Sequence, residues 1–292
     1  MQAKSSVKFI IVSILVFGCS KVNPIPTVEE QFDIPEGVKE PLAFEFMIHD
    51  VEGIVFNLLH SLHERDQGVV STHEDYNVFA GRGECANQQL DTDLNILLLN
   101  YGNGCTDDSQ KIRRGQIELN YSDPDDKIGN VVTVVLRNYH LNGLGLHGQI
   151  RIENISQTNS TDTKRYSLSF SNLELTINSE SSIFTGNREV NYAKKNGSQF
   201  ETTELDYFAS NNYRFEISGQ KAFNLSTPST LLNTFNCWLN ETYFPKSGAF
   251  SIQEVAQKET TTIDFGSGAC DYSLLITDID NNQKSFDLSA IL

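Results

Sequence analysis

Four of the six histidines, His49, His60, His63 and His73, fall within 25 residues of one another, and they are the densest set of groups in the chain that could do chemistry. On a helix His60 and His63 are neighbours and could share a metal ion, with His73 from the following loop as a third ligand. His49 stands apart from that pair, eleven residues and about 16 Å away along a helix axis. No carboxylate or cysteine completes a tetrahedral set, and the same spacing is that of histidines on the polar side of an amphipathic helix. Neither a metal nor a cofactor is therefore expected.

Other patterns argue against familiar catalytic devices. Gly-x-Gly occurs at Gly102 to Gly104 and at Gly266 to Gly268, but neither extends to a Gly-x-Gly-x-x-Gly fingerprint. Each follows one expected strand and precedes another, whereas a phosphate cradle needs a helix N-terminus. The run Gly266, Ser267, Gly268 likewise lacks the Gly-x-Ser-x-Gly elbow of a nucleophilic serine. Acidic groups at Asp107 and Asp108, at Asp123, Asp125 and Asp126, and at Asp278 and Asp280 match no twelve-residue calcium loop, and the turn preferences of Asp make them solvated turns.

The cysteines carry more information. Five is an odd number for an exported chain, and the first of them, Cys19, closes a short leader. Lys4 and Lys8 form a positive n-region, and Phe9 to Phe17 is an apolar run too short to span a bilayer, which needs roughly 20 helical residues. Small Gly18 precedes Cys19, as in a lipobox, so residues 1–18 are expected to be cleaved and Cys19 to be the lipid attachment site. Losing Lys4 and Lys8 takes the formal charge from −16 to −18. Such a surface repels nucleic acid and anionic lipid headgroups, which argues against both as direct partners.

Cys85, Cys105, Cys237 and Cys270 remain, and four cysteines permit three pairings. An oxidising compartment favours disulfides, and no close Cys-x-x-Cys spacing suggests zinc. Leu97 to Asp107 (LLLNYGNGCTD) and Thr261 to Asp271 (TTIDFGSGACD) echo each other. Each runs a strand into an aromatic residue, then Gly-x-Gly, a cysteine and an aspartate, with Ala269 inserted in the second. Taken as a remote duplication, about 85–165 and 166–292, the echo predicts Cys85 bonded to Cys105 and Cys237 to Cys270, with Trp238 packed on the latter.

The elements that must position these residues follow from periodicity. Pro24, Pro26, Pro35 and Pro41 lie among polar residues, so 19–41 is a tether able to reach up to about 60 Å if extended. From Ala43 to Arg65 the residues Phe44, Ile48, Val51, Val55, Leu58 and Leu62 recur at steps of four and three, the stripe of one amphipathic helix. After about residue 78 the period becomes two. Ile117, Leu119 and Tyr121, then Tyr166, Leu168 and Phe170, then Tyr213, Phe215 and Ile217 alternate with polar residues. The apolar phase shifts at Ser171 and Asn172, which predicts a bulge. Ten or so strands with short polar turns give a mainly β fold: residues 42–292 form a single domain with the N-terminal helix lying on an extended, curved antiparallel meander, either a sandwich or an incomplete barrel.

Taken together, the lipobox, the tether, the helix and four motifs resemble a family of lipoproteins from the Bacteroidota. The motifs are Tyr101 to Cys105, Arg114 to Tyr121 (RGQIELNY), Val132 to Gly143 (VTVVLRNYHLNG) and Asp264 to Asp271. The resemblance implies a cell-envelope protein held to the outer membrane by its N-terminal lipid, and it brings no catalytic residue. Surface-displayed lipoproteins of this group often carry acidic residues directly after the lipidated cysteine, whereas Ser20, Lys21, Val22 and Asn23 follow here, which leaves the periplasmic and surface faces both open. The expected function is that of a non-catalytic interaction or structural module, contacting an envelope protein or glycan. The alternative is a binding module for a glycan or lipophilic ligand on the curved sheet, and an enzyme ranks third.

Overall fold

The computed structural model describes residues 37–66, 85–107, 110–123, 127–157, 163–194, 205–217, 219, 221–234, 237 and 244–288. Cys19, the tether up to Pro35, His73 and Trp238 lie outside the described residues, and so do the side chains of His60 and His63.

One helix, α1 (Lys39–Asp66), precedes all the strands. Pro41 sits in its first turn, where a missing N–H breaks no intrahelical bond, and Glu40 there favours the positive end of the helix dipole. At about 1.5 Å per residue, α1 is roughly 42 Å long. It departs from the expected half-exposed helix. Phe46, Met47, Ile48, His49, Asp50, Val51 and Glu52 are consecutive and all are at most 1% exposed. Seven successive residues point to every side of a helix of 3.6 residues per turn, so α1 is enclosed there, its polar side included.

What encloses it, among the described residues, is a single open sheet of thirteen strands in sequence order. These are β1 (Asn87–Asp91), β2 (Ile96–Thr106), β3 (Ile112–Tyr121), β4 (Val131–Leu141), β5 (Leu144–Asn154), β6 (Thr163–Ile177) and β7 (Glu180–Lys194). They continue with β8 (Leu205–Ile217), β9 (Lys221–Thr234), β10 (Ser247–Glu254), β11 (Thr260–Ser267), β12 (Ser273–Thr277) and β13 (Gln283–Asp287). Each strand pairs antiparallel with the next, which leaves β1 and β13 as the edges among the described residues. The hairpins are tight where the sequence allows positive φ. Leu141 faces Leu144 across Asn142 (φ 49°) and Gly143 (φ 91°), and Ile177 faces Glu180 across Asn178 (φ 47°) and Ser179 (φ 72°). Both are the primed two-residue turn that matches strand twist.

Alternate residues of the strands fill the core as their spacing predicts: Ile117, Leu119 and Tyr121 of β3, and Tyr213, Phe215 and Ile217 of β8, are all buried. In β6 the inward set changes from Tyr166, Leu168 and Phe170 to Leu173, Leu175 and Ile177, with a register shift between Phe170 and Leu173 and Asn172 at φ 55°. That is the expected bulge. Phe44 of α1 stacks on Phe184 at 4.0 Å and meets Phe170 and Tyr213 edge-on at 5.3 Å, so three neighbouring strands grip one ring of the helix.

The bulge in β6 is one of a row. Register shifts lie at Asn100 to Cys105 in β2, Arg114 to Gln116 in β3, Leu136 to Tyr139 in β4 and His147 to Ile150 in β5. Paired strand to strand, they form a crease across the sheet, and a bulge bends its strand and sharpens the local twist. At Gly115 (φ 85°) a Cβ would stand 2.0 Å from the carbonyl oxygen of Asn138, itself at φ 51°, so the two backbones approach more closely than any side chain permits. The crease lets the sheet turn around α1.

Both disulfides join the expected partners. Cys85, just before β1, is bonded to Cys105 of β2 with a Cα separation of 5.7 Å, and Cys237 to Cys270 with 5.3 Å. The Gly-x-Gly segments do not both end strands, however: Gly102 and Gly104 lie inside β2 at its bulge. The local geometry recurs nonetheless, since Gly102 N donates to Asn100 Oδ1 at 2.9 Å and Gly266 N donates to Asp264 Oδ1 at 2.8 Å.

Candidate functional site

Two polar assemblies stand out, one inside the sheet and one outside. The inner one surrounds Arg188 of β7. Its position matches the inward set Phe184, Val190 and the half-buried Tyr192, so an arginine occupies an apolar slot, and it is 2% exposed. Glu45, His49 and Glu52 come from successive turns of α1 to meet it. Arg188 Nη1 lies 2.8 Å from Glu45 Oε1 and Arg188 Nε donates to Glu52 Oε1 at 2.8 Å. Arg188 Nη1 also donates to Asn211 Oδ1 at 2.7 Å, Arg188 Nη2 donates to Tyr207 Oη at 2.5 Å, and Tyr207 Oη donates to Glu52 Oε2 at 2.5 Å. His49 Nε2 lies 3.0 Å from Glu45 Oε1.

Burial alone would push the Glu45 carboxyl up, but the Arg188 guanidinium and His49 more than reverse this and hold it at about 2. Burial likewise disfavours the charged Arg188, and Glu45 and Glu52 outweigh that, raising it well above its ordinary value. A second tie lies nearer the first edge. Arg113 Nη2 donates to Asp50 Oδ1 at 2.6 Å, Arg113 Nη1 donates to Asp107, and Tyr139 Oη donates to Asp50 Oδ2. Asp107 is therefore no solvated turn: it is 4% exposed and also accepts Lys111 N at 2.8 Å. Asp278 does make the expected exposed turn, accepting Asp280 N and Asn282 N.

These groups have the makings of acid–base chemistry but no access to a substrate, because each of Glu45, His49, Asp50, Glu52 and Arg113 is fully buried. They lock α1 to β3, β4, β7 and β8. His49, expected on a solvated helix face, is a member of this lock. His60 and His63 lie in the last turns of α1, and their side chains and all of His73 are outside the description. Among the described residues no group of three or more His, Cys, Asp or Glu is placed to hold a metal ion.

The outer assembly is an open depression of about 580 Å³ where the crease crosses β2, β3 and β4. A bulge turns two successive residues to one side of a sheet. In β4 Leu136 and Tyr139 are buried while Arg137 and Asn138 between them are both exposed. In β3 Arg113 and Ile117 are buried, and Arg114 and Gln116 flank Gly115 on the outer side. Asn100, Gly102 and Asn103 of β2 form the third wall. Arg137 Nη2 donates to Glu118 Oε2 at 3.0 Å, and bonds from Asn120 and Arg137 lower the Glu118 carboxyl. His140 Nδ1 lies 2.8 Å from the Asn138 carbonyl oxygen, and its ring lies across Gly145, where a Cβ would be 3.0 Å from Nε2.

The sequence motifs pointed at this place without revealing it. Arg114 and Gly115 open RGQIELNY, and Asn138 sits inside VTVVLRNYHLNG, but only the register shows that they share a wall. No family model, no curated protein and no solved structure matches the chain.

Proposed function

We propose that this chain is a non-catalytic cell-envelope lipoprotein, anchored to the outer membrane through Cys19, whose sheet meets another envelope component with its outer face. The observation that carries this reading is the filling of the inner face. Helix α1 is buried on all sides from Phe46 to Glu52 and tied by two charge networks, so the concave side is a packed core and the outer side is where polar groups remain available. No helix among the described residues is long and apolar enough to cross a membrane, and the proposed attachment is the lipid on Cys19.

Mass spectrometry of the mature N-terminus tests the anchor, with a diacylglyceryl Cys19 as the expected result and Cys19→Ala released from membrane fractions. An unmodified first residue refutes it. The alternative of a lipophilic ligand on the sheet is tested by solvent extraction of the purified protein. A stoichiometric bound lipid overturns the reading of a filled inner face. A glycan ligand has a specific observation in its favour, the depression at the crease.

A further inference from the structure

We propose that the depression across β2, β3 and β4 binds a saccharide carrying one isolated carboxylate or sulfate, with Arg114 as the residue that holds the anionic group. The inference deepens the reading of the outer face as the working surface and rests on it.

The first observation is a difference among arginines. Among the arginines whose side chains are described, Arg137, Arg151, Arg165 and Arg214 are the others on the outer side, and each has a carboxylate partner: Glu118 at 3.0 Å, Glu153 at 2.5 Å, Glu189 at 2.9 Å and Glu216 at 2.8 Å. Arg113 and Arg188 are paired inside. Among the arginines whose side chains are described, Arg114 is the one with no carboxylate, although the chain has 38 acidic residues from which to supply one. Its cross-strand neighbour is His140, and none of the residues lining the depression is acidic. A guanidinium is a planar fork matched to two oxygens of a carboxylate or sulfate, and an unpaired one presents that fork to the solvent.

The second observation is what surrounds it. Asn103, Gln116 and Asn138 line the same wall system, and a primary amide both donates and accepts, as the hydroxyl groups of a sugar require. Asn100 has its Oδ1 committed to Gly102 N at 2.9 Å, which leaves its NH₂ as a donor. A volume of about 580 Å³ falls in the range of small-molecule sites, roughly 300–1,000 Å³, and far exceeds a bare oxyanion. The third observation limits the charge of the ligand. With a formal charge of −16 the protein repels polyanions, so a single anionic group seated on Arg114 is favoured over a densely charged chain.

The test uses full-length lipidated protein in detergent and isothermal titration calorimetry with four probes. These are a neutral xylo-oligosaccharide, the same oligosaccharide bearing one glucuronic acid, the same bearing one sulfate, and inorganic sulfate. Binding of a singly charged oligosaccharide at least tenfold tighter than the neutral one and than inorganic sulfate is the expected result. Arg114→Ala should remove that tenfold preference, Arg114→Lys should restore part of it, and Arg214→Ala should leave it unchanged. Equal binding of charged and neutral sugars, equal binding of inorganic sulfate, or no binding of any probe overturns the proposal. The same samples are assayed for new reducing ends. Their appearance would end the non-catalytic reading while leaving the saccharide site standing, and loss of binding with Cys19 still lipidated would do the reverse.

Discussion

Replacing Arg188 with methionine removes the cation that Glu45 and Glu52 share while keeping an unbranched side chain in the slot. At pH 7 two carboxylates, each at most 1% exposed on its side chain, would then face Asn211, Tyr207 and His49 with the guanidinium gone. Removing one partner of a buried ion pair typically costs about 3–5 kcal/mol, and Arg188 serves two carboxylates, so the upper part of that range is expected. That is a large share of the roughly 5–15 kcal/mol by which domains are stable. The pH dependence should change sign. Glu45 is held at about 2 against an ordinary 4.5, so in the native protein it contributes about 3 kcal/mol that is present above pH 4.5 and is lost as pH falls toward 2. Without Arg188, burial raises the same carboxyl, and acidification should instead relieve the destabilisation. Urea unfolding of the full-length protein with disulfides intact, followed between pH 2 and 7, measures both quantities. Glu45→Gln with Glu52→Gln in the Arg188→Met background should recover most of the loss. An Arg188→Met protein as stable as the native one at pH 7, or one whose stability falls with acid in parallel with it, would refute the lock.

Gly115→Ala should destabilise by about 2 kcal/mol or more, since a left-handed backbone alone costs about 1–3 kcal/mol for other residues and its Cβ would meet the Asn138 carbonyl; thermal melting reads this out. Tyr139→Phe removes a donor from Asp50 and should cost about 1.5–3 kcal/mol in urea unfolding, with far-UV circular dichroism unchanged. Non-reducing peptide mapping should link Cys85 to Cys105 and Cys237 to Cys270, and replacing either pair with serine should lower stability by about 2–5 kcal/mol. A crossed linkage would contradict the fold.

Most of the scaffold was legible because alternation and helical spacing survive wherever one side of an element is apolar. Strand β9 was not. Its inward Phe223 and Leu225 are separated from Leu231 by the run from Ser226 to Thr230, where Pro228 is exposed at an irregular pairing, so no period of two crosses it. Strand β1, with Asn87, Gln88, Gln89, Leu90 and Asp91, has too little apolar content to signal itself. The buried lock left a trace that hydrophobic patterning is blind to. Arg188 keeps the parity of Phe184 and Val190, and Glu45, His49 and Glu52 repeat at four and three like an apolar stripe. A charged residue on an apolar phase in a strand, matched by opposite charges at helical spacing elsewhere, is the signal that would have found it. The depression had no such trace, because it depends on bulges in three strands falling side by side, which is a property of register.

The way the sheet ends bears on life at close quarters. Among the described residues both terminal strands are only five residues long, β1 with Asp91 and β13 with Lys284 and Asp287 along it. A neighbouring molecule that tried to add itself there would gain a few main-chain bonds while burying charge and amide groups. Molecules crowded together on one surface would thus stay separate rather than knit into a continuous ribbon, a property that long apolar flanks on a thirteen-strand array would have forfeited.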